Sequence, residues 1–202
     1  MWTPTSAGPV VNMTTLADLL VDFAQRGSKP AILVDREESF DNWSFLDLAD
    51  QAQRLAKGLA AAGVQSEEPI AIWAPNGREW VVAYFAIIAA GATAVPLDPL
   101  ATDSEIAEMM ATGNCRRIFT SRARLNRLPA RVRNAEVAVY ILDADLDLPI
   151  GVTGWKTLLT DRPDLLPRVR PEQRASLLFT SGTTGTQGRS AHPRLGYPCR
   201  MR

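Results

Sequence analysis

This chain has little of what most catalytic or metal-binding sites are built from. Among its 202 residues are one histidine, His192, and two cysteines, Cys115 and Cys199. A histidine-based metal centre or a Ser-His-Asp triad is therefore hard to assemble, and two cysteines give neither a disulfide framework nor zinc-finger spacing. Such cysteine usage suits a reducing compartment and leads us to expect a cytoplasmic protein. Charge of one sign is missing too, since 22 basic residues stand against 22 acidic ones. With no net positive field, nucleic acid is not an expected partner. The basic residues are nearly all arginine, and lysine occurs only at Lys29, Lys57 and Lys156.

A long hydrophobic run is almost absent as well. The longest uncharged stretch, Trp80 to Leu97, is interrupted by Gly91 and Pro96. A buried helix over about 78–90, a glycine stop and a buried strand over about 93–97 explain it better than a membrane span. The N-terminus, Met1 to Asn12, lacks a basic region and an apolar core, so it does not read as a secretory signal. Residues 1–13 are expected to be a disordered extension, with Met13 a candidate alternative start.

What is present is globular: 46% of residues are hydrophobic and 22% charged, enough for one substantial core. Thr14 to Leu20 reads as the capped start of an amphipathic helix. Ser44 caps a helix of about 45–62, whose Leu48, Ala52, Leu55, Leu59 and Ala62 form one apolar stripe and whose Asp50 and Arg54 form an exposed i,i+4 pair. Gly63 ends that helix. Pro69–Trp73 reads as a buried strand, Ser104–Thr112 as a short helix, and Arg117–Thr120 and Ala138–Leu142 as strands. Residues 143–174, rich in Asp, Pro and Arg, read as a long surface connection, and Ala175–Thr180 as the last strand. Alternation of strands and helices predicts an α/β fold of βα units with a mainly parallel sheet.

Residues 122–133 hold five arginines, Arg122, Arg124, Arg127, Arg131 and Arg133, and no acid. An anion-binding patch is one reading. A solvated helix and turn, with Leu125 and Leu128 facing inward, is the one we favour.

One segment carries chemistry. Leu177-Leu178-Phe179 runs straight into Thr180, Ser181, Gly182, Thr183, Thr184 and Gly185. Glycines let the backbone turn and present successive N–H groups to an anion, and hydroxyls add donors without bulk. At the carboxyl end of a strand, such a loop is a phosphate cradle. It is not a P-loop, because Gly182 and Gly188 are separated by five residues and Arg189 stands where that motif has lysine.

Thr180 to Gly185 resembles the T-S-G-[ST]-T-G-x-P-K-G signature of adenylate-forming enzymes, the group that includes acyl-CoA synthetases, acyl-AMP ligases and peptide-synthetase adenylation domains. Trp43–Asp47 with its following helix, and Ala90–Pro99, resemble further segments of that family. The resemblance covers roughly residues 14–186, the N-terminal part of the family's large domain. It implies that Thr180, Ser181, Gly182, Thr183, Thr184 and Gly185 hold the phosphates of ATP, with Mg2+ as counter-ion. The implied reaction joins a carboxylic acid to AMP with release of pyrophosphate. The acyl group then passes to a thiol such as coenzyme A or a carrier protein. A fatty acid is the expected substrate class.

The match stops at Thr186. Where the family has Pro-Lys-Gly-Val, this chain has Gln187-Gly188-Arg189-Ser190, and residues 187–202 hold four arginines and no acid. If Gln187–Ser190 are encoded CAA GGG CGT TCC, reading one base later gives Lys-Gly-Val. Permitted codons continue this frame as Pro-Leu-Thr-His-Ala-Trp. We therefore expect residues 187–202 to be an aberrant tail produced by a frameshift, with no regular element because Pro193, Gly196 and Pro198 interrupt it. The resemblance puts the family's lysines, magnesium-binding glutamate and acyl pocket downstream of this point. No residue here is assigned as catalytic or as a metal ligand, and the chain is expected to be inactive alone. A stand-alone phosphate-binding or interaction subunit is the alternative.

Overall fold

The computed structural model describes residues 13–36, 39–128, 130, 137–144, 147–162, 166–181 and 191–198. The expected N-terminal extension lies outside them apart from Met13. A 3-10 turn at Leu16–Asp18 leads into α1 (Leu19–Arg26). Asp18 turns back to accept hydrogen bonds from the backbone N–H groups of Thr14 and Thr15, both at 2.8 Å, satisfying donors that a helix start leaves free.

Strands β1 (Pro30–Arg36) and β2 (Ser39–Ser44) form an antiparallel hairpin. The sequence reading assigned no element here. The hairpin's alternation is weak: Leu33 is 61% exposed, so apolar residues do not mark one buried face.

Helix α2 (Phe45–Ala61) starts at Ser44, whose hydroxyl accepts from Asp47 N–H at 3.1 Å while the Asp47 carboxylate accepts from Ser44 N–H at 2.9 Å. This reciprocal cap satisfies two backbone donors. The helix ends at Gly63, at φ +78°, with Val64 N–H donating to Leu59 C=O and Gly63 N–H to Ala60 C=O. Only glycine takes that φ freely.

The main sheet contains β3 (Pro69–Trp73), β4 (Thr93–Pro96), β5 (Arg117–Thr120), β6 (Ala138–Ile141), β7 (Val152–Gly154), β8 (Arg174–Ser181) and β9 (Ala191–Pro198). Their order is β7-β6-β5-β3-β4-β8-β9. All pairings are parallel except β8 with β9. Connecting β3 to β4 is α3 (Arg78–Ala89), and connecting β4 to β5 is α4 (Asp103–Thr112). The uncharged stretch is therefore a helix and a strand joined at Gly91, and no helix among the described residues is long and apolar enough to cross a membrane.

Two apolar layers sandwich the sheet. Ile70 and Ile72 pack with α2 and α3, whereas Ala71 and Trp73 pack with α4 on the other face. A strand buried on both faces is apolar at every position, which is why Pro69–Trp73 shows no alternation.

Two expectations are corrected. Residues 143–174 are more than a surface connection. Val139 to Ile141 pair with Val152 to Gly154, and Trp155, in the 3-10 turn Trp155–Leu158, is 1% exposed. The turn packs on α2, where Gly58 makes room: a Cβ there would lie 1.8 Å from Leu158 C=O. A glycine inside a helix is the one sequence signal that could have pointed to this approach.

The tail, in turn, contains a regular element, for Ala191–Pro198 forms β9. Proline is tolerated there because, among the described residues, β9 is the sheet's edge, where one row of N–H groups has no ladder partner. Register shifts between Arg174 and Ser176 and between Leu177 and Phe179 accommodate the irregular pairing.

Candidate functional site

The candidate loop begins where β8 ends. Strand β8 meets β4 at Ala94 and Ser176, and three side chains fix this base. Tyr84 Oη and Ser176 Oγ lie 2.7 Å apart, Thr93 Oγ1 donates to Arg174 C=O at 3.0 Å, and Arg174 N–H donates to Glu67 Oε1 at 3.0 Å. Residues 177–181 run on from that base, paired with β9.

Thr180 and Ser181 thus occupy the carboxyl end of a strand whose neighbour on the inner side is parallel. Ligands of open α/β sheets bind outside these carboxyl ends. Thr180 stands opposite His192 and Ser181 opposite Ala191 in the ladder. The strand expected to end at Thr180 therefore runs one residue further, through Ser181. Gly182, Thr183, Thr184 and Gly185 lie outside the described residues. The sequence reading gave no role to His192, and only the pairing brings the chain's single histidine to the register of Thr180.

The arginine-rich segment is positioned by other means. α5 (Arg122–Leu125) follows β5, with Leu125 and Leu128 buried. The guanidinium groups of Arg124 and Arg127 lie 5.6 and 5.3 Å from the ring centre of Trp73, within cation–π range. Arg127 also pairs with Asp103 at 2.9 Å, and Arg124 donates to Pro99 C=O at 3.2 Å. These contacts agree with the structural reading of the segment; Arg131 and Arg133 lie outside the described residues.

Among the described residues no group of three or more His, Cys, Asp or Glu could hold a metal ion. Cys115 is buried and its thiol is pushed up to about 12 by desolvation, so it is not a nucleophile at neutral pH.

A family model described as AMP-binding enzyme matches residues 21–187. The chain belongs to the AMP-binding enzyme family. It is 30% identical over 142 residues to phosphinothricin tripeptide synthetase PhsC of Streptomyces viridochromogenes, covering 70% of this chain and 12% of that protein. It is 29% identical over 185 residues to sulfoacetate–CoA ligase of Cupriavidus necator, covering 88% of this chain and 34% of that one. Its fold is similar to the crystal structure of a long-chain-fatty-acid-CoA ligase from Archaeoglobus fulgidus, with a TM-score of 0.72 and 21% identity over 85% of this chain and 35% of that one. The chain thus spans about a third or less of these relatives. Its α/β architecture corresponds to the N-terminal part of the adenylate-forming fold.

Proposed function

We propose that this chain is the N-terminal part of an acid–thiol ligase whose loop after β8 holds the phosphates of ATP. The observation that carries this reading is the start of a Gly/Ser/Thr segment at the carboxyl end of a strand in a parallel sheet, within the region matched by the family. In the complete enzyme a carboxylate oxygen of the substrate attacks the α-phosphorus of ATP. The bond from that phosphorus to the bridging oxygen breaks and pyrophosphate leaves. A thiolate, from coenzyme A or a carrier protein, then displaces AMP from the acyl carbon. A fatty acid is the substrate class we propose, with Mg2+ accompanying ATP and the cytoplasm as the site of action.

Thr180 and Ser181, with Gly182, Thr183, Thr184 and Gly185, would offer hydroxyl and backbone N–H donors to the departing pyrophosphate. Donors of this kind act most strongly where charge develops in the transition state. The loop lysine of the family signature is replaced by Gly188, and we propose that this chain does not catalyse the reaction alone. Losing one such donor costs roughly a hundred- to a thousandfold in rate.

The test supplies the purified chain with Mg-ATP, labelled pyrophosphate and a panel of fatty and aromatic acids. No acid-dependent exchange is expected from this chain. Exchange is expected from a version in which the alternative reading frame is restored and extended. Exchange by the chain as it stands, abolished by Thr183→Ala with Thr184→Ala, would overturn the inactive-fragment reading. The pairing of β9 with β8 favours a second reading, a self-contained phosphate binder in which residues 191–198 complete the sheet. ATP binding by the chain that is lost when residues 191–202 are removed would support it.

A further inference from the structure

A concavity lies near the start of β8, at the end of that strand opposite the candidate loop. A cleft of about 710 Å³ separates the start of α1 from the segment that precedes β8, a volume within the range of small-molecule sites. Its apolar lining includes the buried Leu20 and Ala89, and the exposed Val21 and Leu166. Exposed apolar side chains beside a concavity are where an apolar ligand gains most.

Arg168 and Arg170 also line this cleft. Two positions apart in a segment outside any helix, and bracketed by Pro167 and Pro171, they serve one concavity. Both are exposed, and no described acidic side chain pairs with either guanidinium. Gln173 Oε1 accepts from Arg170 N–H at 2.6 Å and fixes the backbone, leaving the guanidinium free of that contact. One acid, Asp18, lines the cleft. Its carboxylate accepts from Thr14 and Thr15 at the start of the helix. Burial works against ionisation, but these hydrogen bonds outweigh it and hold the group below the usual carboxylate range. Asp18 is therefore ionised at neutral pH, and two guanidinium groups against one carboxylate leave the lining with one positive charge.

We infer that this cleft binds an amphiphilic monoanion, a carboxylate carried on an apolar chain. Arg168 and Arg170 take the headgroup and Leu20, Val21, Ala89 and Leu166 the chain. A single net positive charge suits a monoanion better than a polyphosphate, and the apolar part of the lining offers a chain contacts that a bare inorganic anion does not use. This site is separate from the proposed nucleotide loop. It adjoins the residues before Arg174, whereas the loop follows Ser181. The seven residue steps between them span about 23 Å at about 3.3 Å each.

The probe is decanoate, used below its micelle concentration and titrated into the full chain by calorimetry. We expect saturable one-to-one binding that Mg-ATP does not displace. Arg168→Ala with Arg170→Ala is expected to weaken it roughly tenfold or more, as loss of charge-assisted hydrogen bonds does. Decanol and inorganic phosphate should each bind more weakly by a similar factor. Both arginines are exposed, and an unchanged melting temperature would establish that the double variant is folded. Decanoate binding unaffected by the double variant, displacement by Mg-ATP, or absence of saturable binding would overturn the inference. So would phosphate binding as tightly as decanoate, or binding only to vesicles containing anionic lipid and not to free decanoate.

Discussion

The hydroxyls of Tyr84 in α3 and Ser176 in β8 lie 2.7 Å apart although 92 residues separate them in sequence. This bond, with the Thr93 and Glu67 contacts to Arg174, ties the strand that leads into the candidate loop to the helix and strand packed beside it. Ser176 is 4% exposed, so water does not easily replace Tyr84 if the phenol is lost. Tyr84→Phe is expected to cost about 1–2 kcal/mol and to lower the melting temperature by roughly 2–8 °C. Adding Ser176→Ala to Tyr84→Phe should recover part of that loss, because both polar partners are then gone. Equal and additive losses in the two single variants would show that the hydroxyls do not interact.

Gly58 offers a test of the packing between α2 and the Trp155–Leu158 turn. Glycine-to-alanine inside a helix normally gains about 0.5–1 kcal/mol. Here the new Cβ would lie 1.8 Å from a backbone oxygen, and overpacking of this kind costs about 1–3 kcal/mol. We expect Gly58→Ala to lower the melting temperature. An increase would mean that the turn does not rest on α2.

Acid sensitivity should trace in part to the helix caps. The Ser44 hydroxyl and N–H hold the Asp47 carboxyl below its ordinary range, and the Thr14 and Thr15 hydrogen bonds do the same for Asp18 against the effect of burial. A carboxyl whose folded pKa is depressed contributes stability that is present above its unfolded pKa and lost as pH falls through the folded one. Both contributions should therefore be complete at neutral pH and fade below about pH 4. Asp47→Asn is expected to destabilise the chain at pH 7 and to make little difference at the acid end. Denaturant titrations at both pH values check this, and an equal effect at both would contradict it.

Pairing with β9 should protect the outer part of β8. Ending the chain after Ser190 is expected to speed amide exchange in residues 177–181, which run on past the Ala94–Ser176 pairing, and to leave Arg174 protected by its bond to Glu67. Unchanged exchange throughout β8 would show that residues 191–198 do not pair with it in solution.

The sequence was most readable where a local signal and the core agreed. Ser44 and Gly63 mark both ends of α2, and the apolar run Pro69–Trp73 reads as a buried strand. Hairpin β1–β2 was missed because it is half exposed and its alternation is blurred at Leu33. Trp155 was missed because its short turn has no period of its own and is buried only by long-range packing on α2. Proline and glycine hid β9, since their meaning depends on edge position, which a linear reading cannot supply. Of the candidate site, the strand that carries Thr180 was legible, but the alignment of His192 with Thr180 required the β8–β9 register.

The coding DNA around codon 186 tests most directly whether this chain is part of a longer ligase. The account predicts that the frame one base later encodes Lys-Gly-Val-Pro-Leu-Thr-His in place of Gln187 onward. It also predicts that this frame stays open well past codon 202, for a length comparable to the part of sulfoacetate–CoA ligase that the chain does not cover. An alternative frame closed by stop codons soon after codon 186 would contradict it and leave the self-contained binder as the reading of this protein.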